Sequence, residues 1–174
     1  MKAYTNVNLV TCDSAFHVYR EGLLVVEDDR IAYCGPYDEN WLGKCSETVD
    51  YEGAWIMPGL VNCHTHSAMT LLRGIRDDSN LHEWLEDYIW PAESQFTEDL
   101  TTQAVQLALA EMLQSGTTTF NDMYNPQGVE IDRIYQTVRQ SGMRCYFSPT
   151  LFSSESETAE ETLARTRAII EKIR

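Results

Sequence analysis

The chain changes character near Gly53, and this change constrains its fold more than any other feature. Before Gly53, short runs rich in Val, Tyr and Ile alternate with turn signals such as Glu21-Gly22 and Gly35-Pro36. Strands are expected over residues 3–11, 16–20, 23–27 and 30–34. We therefore predict a small antiparallel β-sandwich portion over residues 1–53, followed by a second domain over 54–174.

After Gly53, strand-like runs alternate with helical patterns, and that alternation predicts an α/β fold with a parallel sheet. The predicted strands cover 60–66, 117–121 and 143–152, and the predicted helices cover 97–115, 129–140 and 159–173. In the first helix Leu100, Ala104 and Leu107 follow the 3.6-residue period, and Thr97 is suited to cap its start. Gly116 and Gly142 mark the ends of the first two helices.

Chain length limits how much of such a fold can be present. A complete (β/α)8 barrel takes about 250 residues, whereas this chain has 174 and only about three strand-helix units. We expect a partial TIM-type (β/α)8 barrel that is truncated after its third unit. A complete protein with a smaller sheet is the alternative, but it would leave an unpaired parallel edge.

Two histidines follow the first apolar run of this barrel portion. His64 and His66 are two residues apart, so on a β-strand they project to the same face, about 6–7 Å apart. Imidazole nitrogens bind zinc at about 2.0–2.1 Å. Pro58-Gly59 opens the segment and Leu60-Val61 leads into it, as in a short buried strand that ends at an accessible rim. We predict that His64 and His66 are metal ligands.

The segment AWIMPGLVNCHTHSAMTLLR, from Ala54 to Arg73, resembles the amidohydrolase superfamily. Within it, the likeness is to the branch of adenosine-type and related amino-heterocycle deaminases and chlorohydrolases. The likeness continues through EWL (83–85), PAE (91–93), SGTTTFNDMY (115–124) and SGMR (141–144). The resemblance implies a (β/α)8 barrel whose paired histidines bind a divalent metal, usually zinc, with Fe2+ as another choice. It also implies that strands from the C-terminal end complete the β-sandwich.

The resemblance implies deamination of an amino-heterocycle by metal-activated water, with an adenosine-type nucleoside favoured as substrate. The further metal ligands and the proton-shuttling glutamate of that family would lie beyond residue 174. We therefore assign no catalytic residue here, and we expect the 174-residue chain alone to be inactive. The alternatives are a non-catalytic remnant or interaction module, or a free-base deaminase or chlorohydrolase. The His-x-Glu and Pro-Cys-x-x-Cys signature of cytidine deaminases is absent from the sequence.

Two residues are predicted to bind substrate through the same resemblance. Glu93 matches a glutamate that contacts the substrate ribose in methylthioadenosine and S-adenosylhomocysteine deaminases, and Trp84 matches an aromatic residue of the same pocket. The chain departs from that branch at 148–150, where Ser-Pro-Thr stands in place of an arginine suited to a carboxylate or sugar. Arg73 matches the family pattern, with either a structural or a substrate-binding role.

Three aspartates are weaker candidates. Asp77 and Asp78 are expected to be a solvated loop pair. Asp122 ends the second strand and could point into the barrel mouth, but it is the less favoured metal ligand.

Composition restricts the partners. The net charge of −14 argues against nucleic acid and anionic membranes, which need clustered Lys and Arg. The five scattered cysteines suit reduced thiols in the cytoplasm, and neither a signal peptide nor an apolar run of about 18 residues is evident. A small-molecule substrate is the expected partner, and self-association into a homo-oligomer stays open.

Overall fold

Three antiparallel strands begin the chain, in a computed structural model that describes residues 1–123, 129–151 and 158–172. Strands β1 (Lys2–Val10), β2 (Val18–Glu27) and β3 (Arg30–Pro36) pair in the order β3-β2-β1. This confirms the predicted antiparallel pairing. The short helix α1 (Glu39–Leu42) follows, and then β4 (Glu47–Asp50) and β5 (Trp55–Ile56) both pair in parallel with β1. Neither β4 nor β5 was predicted, because four- and two-residue strands carry too little alternation.

The turn predicted at Glu21-Gly22 is wrong, since both residues lie inside the single strand β2. Gly22 pairs with Val7 on one side and with Pro36 on the other. A Cβ atom there would lie 2.8 Å from a Leu9 methyl carbon and 2.9 Å from the Gly35 carbonyl oxygen. The glycine therefore marks a close approach of neighbouring strands, a role that a glycine inside a strand often has.

The apolar residues of this first unit lie on both faces of its sheet. Successive residues of a strand point to opposite faces, so Leu23 and Val25 pack on one side and Leu24 on the other. The first side is centred on Ala3, Leu23 and Val25, and the second on Val7, Leu9 and Leu24.

Three parallel strands in the order β6-β7-β8 form the sheet of the second unit. They are β6 (Leu60–Thr65), β7 (Thr117–Asp122) and β8 (Arg144–Phe147), and the long helices are α4 (Glu98–Gln114), α5 (Ile131–Ser141) and α6 (Ala159–Lys172). The predicted three strand-helix units are thereby confirmed. The third strand ends at Phe147, earlier than predicted, and the predicted terminal residues Phe152 and Ile173 lie outside the described residues.

The connection between β6 and α4 is itself helical. A 3₁₀ turn (Ser67–Leu72) follows β6, and then α2 (Leu81–Glu83), a π-helical stretch (Trp84–Ile89) and α3 (Trp90–Glu93) run without a break. Thr97 caps α4 as predicted, because its side chain accepts a hydrogen bond from the Leu100 N–H.

The core of the second unit lies between β7 and the helices α4 and α5. Phe120, Val105 and Ile134 are fully buried there. The other buried residues of this core are Ala108, Leu109, Met112, Ile131, Val138 and Met143. Gly142 ends α5 in the left-handed conformation, with φ of 76°, which a residue without Cβ adopts at little cost.

Strand β6 was predicted to be buried, but its first two apolar side chains are exposed. Leu60 is 51% exposed and Val61 62% exposed. Within the described residues, β6 is an edge strand that pairs with β7 alone, so its apolar side chains are only partly covered.

The chain divides into two compact units, Met1–Pro58 and Gly59–Arg174. In the described parts of both units, no helix is long and apolar enough to cross a membrane.

Candidate metal and substrate site

The two predicted metal ligands lie together at the carboxyl end of β6. The ring centroids of His64 and His66 are 5.0 Å apart, with an angle of 78° between the ring planes. His64 lies within the strand, whereas His66 follows it and precedes the 3₁₀ turn. The His64 N–H donates to Asn62 Oδ1 at 3.1 Å. Both imidazoles are exposed, so their nitrogens are accessible to a ligand.

A buried carboxylate lies beside this segment. Asp122 ends β7 and is 1% exposed, as is Ser67. Asp122 Oδ1 accepts from the Ser67 N–H at 2.9 Å, and Oδ2 accepts from the Ser67 hydroxyl at 2.5 Å. Burial raises the pKa of Asp122, while the bonds from Ser67 and the charge of His66 oppose that rise. Asp122, the less favoured candidate for a metal ligand, is therefore buried and hydrogen-bonded to Ser67, the residue after His66.

The nearby thiol of Cys145 is unsuited to act as a nucleophile. Burial, reinforced by the charge of Asp122, raises the pKa of Cys145 to about 12. The thiolate is the reactive form of cysteine, so this side chain stays protonated at neutral pH.

A cavity of about 340 Å³ opens next to His66. It is lined by His66, Met69, Thr70, Leu72, Arg73, Gly74, Arg76, Asp77 and Trp84. Trp84 begins the π-helical stretch, a conformation that occurs often at functional sites. The structure therefore brings Trp84 and one of the two histidines to the same cavity.

Glu93 does not line that cavity. It ends α3, nine residues after Trp84 in the chain. Glu93 is half-buried, and desolvation raises the pKa of its carboxyl group. Within the described residues, no side chain donates a hydrogen bond to it, so its oxygens are available as acceptors.

Arg73 is held by an ion pair. Its two terminal nitrogens donate to the Glu111 carboxylate of α4 at 3.1 and 2.6 Å. This pairing raises the pKa of Arg73 and lowers that of Glu111. The contact favours a structural role, in which Arg73 ties the 3₁₀ segment to α4.

The two histidines are only part of a metal site. A catalytic zinc usually has three protein ligands and a water. Over residues 1–123, 129–151 and 158–172, no group of three His, Cys, Asp or Glu side chains could hold a metal ion. Asp77 and Asp78 are exposed, as expected for a solvated loop pair.

Sequence reasoning missed the role of Ser67. Its signal was present, because a serine directly after the paired histidines can meet a polar residue at the end of the neighbouring strand. The register that pairs Thr65 with Asp122 brings the two together, and that register was not predictable from either strand alone.

These features define a pair of exposed histidines at the carboxyl end of a strand, on a segment of an α/β barrel. The family model described as "Amidohydrolase family" matches residues 55–174, and the chain belongs to this family. It is 46% identical over 159 residues to a 5-methylthioadenosine/S-adenosylhomocysteine deaminase of Bacillus cytotoxicus, covering 91% of this chain and 37% of the relative. The chain thus spans little more than a third of the length of such curated relatives.

Solved structures agree with this family assignment. A zinc-bound adenosine deaminase of Xanthomonas campestris is 30% identical, with a TM-score of 0.80, and the match covers 99% of this chain and 40% of that one. A zinc complex of an atrazine chlorohydrolase of Arthrobacter aurescens has a TM-score of 0.83 over 100% of this chain and 43% of that one. Its 18% identity makes it evidence for the fold alone, which is the predicted partial barrel.

Proposed function

We propose that this chain is the N-terminal part of a metal-dependent aminohydrolase that deaminates an amino-substituted heterocycle, with an adenosine-type nucleoside favoured. The pair His64 and His66 carries this proposal, with ring centroids 5.0 Å apart at a strand end beside a cavity. The 46% identity to the Bacillus deaminase and the 30% identity to the zinc-bound adenosine deaminase support it.

The histidine pair fits a divalent metal, with zinc favoured and Fe2+ as the alternative. Two nitrogens that share one zinc ion lie within about 4.2 Å of each other, and the exposed rings are close enough for this. When bound, zinc acts as a Lewis acid that activates water for hydrolysis at neutral pH. His64 and His66 would hold the ion, and we assign the remaining ligands and the proton shuttle to residues beyond 174.

The cavity beside His66 supplies the binding surface for a small molecule. Its volume of about 340 Å³ falls within the range of about 300–1,000 Å³ that is typical of such sites. Trp84 offers an aromatic ring on which a heterocycle can stack. Glu93 provides carboxylate oxygens that accept hydrogen bonds from the sugar hydroxyls of a nucleoside.

Substrates without an amino-acid carboxylate fit the chain best. After β8 the sequence is Ser148-Pro149-Thr150, which offers no cation to the amino-acid end of S-adenosylhomocysteine. Adenosine and 5-methylthioadenosine lack that group. We therefore favour them over S-adenosylhomocysteine.

We also propose a cytoplasmic protein that acts on a small molecule, without a nucleic-acid or membrane partner. All five cysteines lie in the described residues and are free thiols, which suits a reducing compartment. The charge of −14 disfavours polyanions. Homo-oligomerisation is compatible with this proposal.

Release of the leaving group by the full-length protein tests the function, measured as ammonia for the amino-substituted substrates and as chloride for atrazine. Adenosine, 5-methylthioadenosine, S-adenosylhomocysteine, guanine and atrazine would be compared, with and without a chelator. We expect chelator-sensitive turnover of the first two substrates and none from the isolated 174-residue chain. Preference for guanine or atrazine would move the assignment to the free-base or chlorohydrolase branch, and inactivity of the zinc-loaded full-length protein on all five would contradict the proposal. Metal-dependent turnover by the isolated chain would contradict the incomplete site.

A further inference from the structure

The segment that contains His66 is fixed to the end of the neighbouring strand. Thr65 is opposite Asp122 in the register of β6 and β7. The Met123 N–H donates to the Thr65 carbonyl oxygen at 2.8 Å. This bond holds the backbone on the N-terminal side of His66.

The C-terminal side of His66 is held by Asp122 itself. Both carboxylate oxygens accept hydrogen bonds, and both donors belong to Ser67, one through its N–H and one through its hydroxyl. His66 thus lies between two residues that are each bonded to the end of β7. The Met69 N–H in turn donates to the His66 carbonyl oxygen at 3.0 Å, so the backbone of His66 has little freedom to rotate.

We infer that Asp122 and Ser67 form a positioning pair, which fixes the backbone of His66 and thereby aims its imidazole at the metal. This inference rests on the proposed function, because it concerns a histidine proposed as a metal ligand. Asp122 is not a ligand in this arrangement, since both of its oxygens are engaged and the side chain is buried while the imidazoles are exposed. Residues that orient a metal ligand commonly change metal affinity by about 10- to 100-fold when they are removed.

The pair can be tested in the full-length protein with Ser67→Ala and Asp122→Asn. Ser67→Ala removes the hydroxyl bond and keeps the backbone bond, so it is the variant more certain to fold. Asp122→Asn keeps the shape of the side chain and removes its charge. The matched control is Thr102→Val, which deletes another buried hydroxyl, bonded to the Glu98 carbonyl oxygen at 2.7 Å inside α4.

Two readouts separate positioning from a merely structural role. The first is zinc affinity, measured by competition with a chromogenic chelator. The second is the visible absorption of the Co2+-substituted protein, which reports ligand geometry. We expect zinc to bind about ten-fold more weakly to Ser67→Ala and at least as weakly to Asp122→Asn, with altered Co2+ spectra and a far-UV circular dichroism spectrum like that of the wild type. Thr102→Val should keep both wild-type affinity and spectrum.

Each outcome decides the matter. Wild-type affinity and an unchanged Co2+ spectrum in Ser67→Ala would overturn the positioning role while leaving the proposed function intact. Equal weakening in Thr102→Val would also overturn it, because the effect would then be general destabilisation. A full-length wild-type protein that binds neither Zn2+ nor Co2+ would remove the proposed function and the positioning role together.

Discussion

Each unit of the molecule places an aspartate near a histidine, but with opposite consequences for the imidazole. In the first unit, His17 Nδ1 donates directly to Asp13 Oδ2 at 2.6 Å, and both side chains are exposed. In the second, Asp122 is buried and bonded to Ser67, and the neighbouring His66 keeps an exposed ring. The direct pair occupies one of the two imidazole nitrogens, whereas the indirect arrangement leaves the ring available to bind a ligand.

The difference shows that a histidine-carboxylate pair in sequence does not by itself indicate a functional site. Asp13 also accepts from the Ala15 and His17 N–H groups, as an aspartate does when it stabilises a local turn. Asp122 instead accepts hydrogen bonds from Ser67, which is 55 residues away in the sequence, and so connects the end of β7 to the residue that follows the end of β6 and His66. A long-range bond of this kind stabilises the relative position of two strand ends, which is where parallel sheets bind ligands.

The largest effect is expected from removing the proposed ligands. His64→Ala or His66→Ala in the full-length protein should weaken zinc binding by more than about 100-fold, which exceeds the usual cost of losing an outer contact. His17→Ala should leave zinc binding unchanged, because its imidazole is already bonded to Asp13. Isothermal titration with Zn2+ measures all three variants.

Comparable weakening by His17→Ala would break the contrast between the two histidine environments. Wild-type zinc affinity in both His64→Ala and His66→Ala would contradict the assignment of these histidines as ligands. Thermal unfolding of each apo-protein serves as the control for folding.

Much of this architecture was predictable because local signals agree with it. Helix α5 has strong apolar periodicity, and the two helices have clear end signals in Thr97 and Gly142. The positions of α4 and α5 were therefore predicted to within a few residues, although Leu107 of the predicted apolar set in α4 is exposed. The parallel order of β6, β7 and β8 followed from the alternation of strands and helices.

The remaining features depend on contacts between distant residues. The turn signal at Glu21-Gly22 is overridden because three strands approach closely around Gly22. Strands β4 and β5 exist through pairing with β1. The engagement of Asp122 with Ser67 depends on strand register, which the local sequence of either segment does not encode.

A second prediction concerns Glu93, whose half-buried carboxylate accepts no hydrogen bond within the described residues. In the full-length protein, Glu93→Gln should raise KM for adenosine and 5-methylthioadenosine by about 10-fold, since a hydrogen bond to a charged group contributes about 1.5–3 kcal/mol. KM for a free base such as guanine should change much less. Loss of binding that is shared by the ground and transition states has this kinetic form.

The matched control is Glu86→Gln, the same substitution at an exposed position of the π-helical stretch. Steady-state kinetics on both substrate types should show no change in KM for this control. Equal losses on nucleoside and free base in Glu93→Gln would indicate a structural role for Glu93.

A smaller effect is expected at the Arg73–Glu111 ion pair, because both side chains are exposed to solvent. Arg73→Met should lower Tm by no more than about 3 °C and should leave KM unchanged if the arginine only ties the 3₁₀ segment to α4. The reverse variant Glu111→Gln should lower Tm by a similar amount. A large increase in KM for Arg73→Met alone would instead show that Arg73 binds substrate.

The smallest effect belongs to the direct pair of the first unit. The hydrogen bond from His17 to Asp13 and the bond from the His17 N–H together lower the pKa of Asp13 to about 2, from an ordinary value of 3.8. Because the pKa is lower in the folded chain, this contribution to stability is present above pH 3.8 and is lost as the pH falls towards 2. His17→Ala keeps the backbone bond, so the pKa of Asp13 should rise only part of the way to 3.8. In His17→Gln the amide can still donate a hydrogen bond, so the pKa of Asp13 should stay lower than in His17→Ala. A 13C NMR titration of the Asp13 carboxyl group measures this pKa in both variants. An Asp13 pKa near 3.8 in the wild type would show that the His17–Asp13 pair does not persist in solution. The comparison between this exposed pair and the buried Asp122 would then not hold.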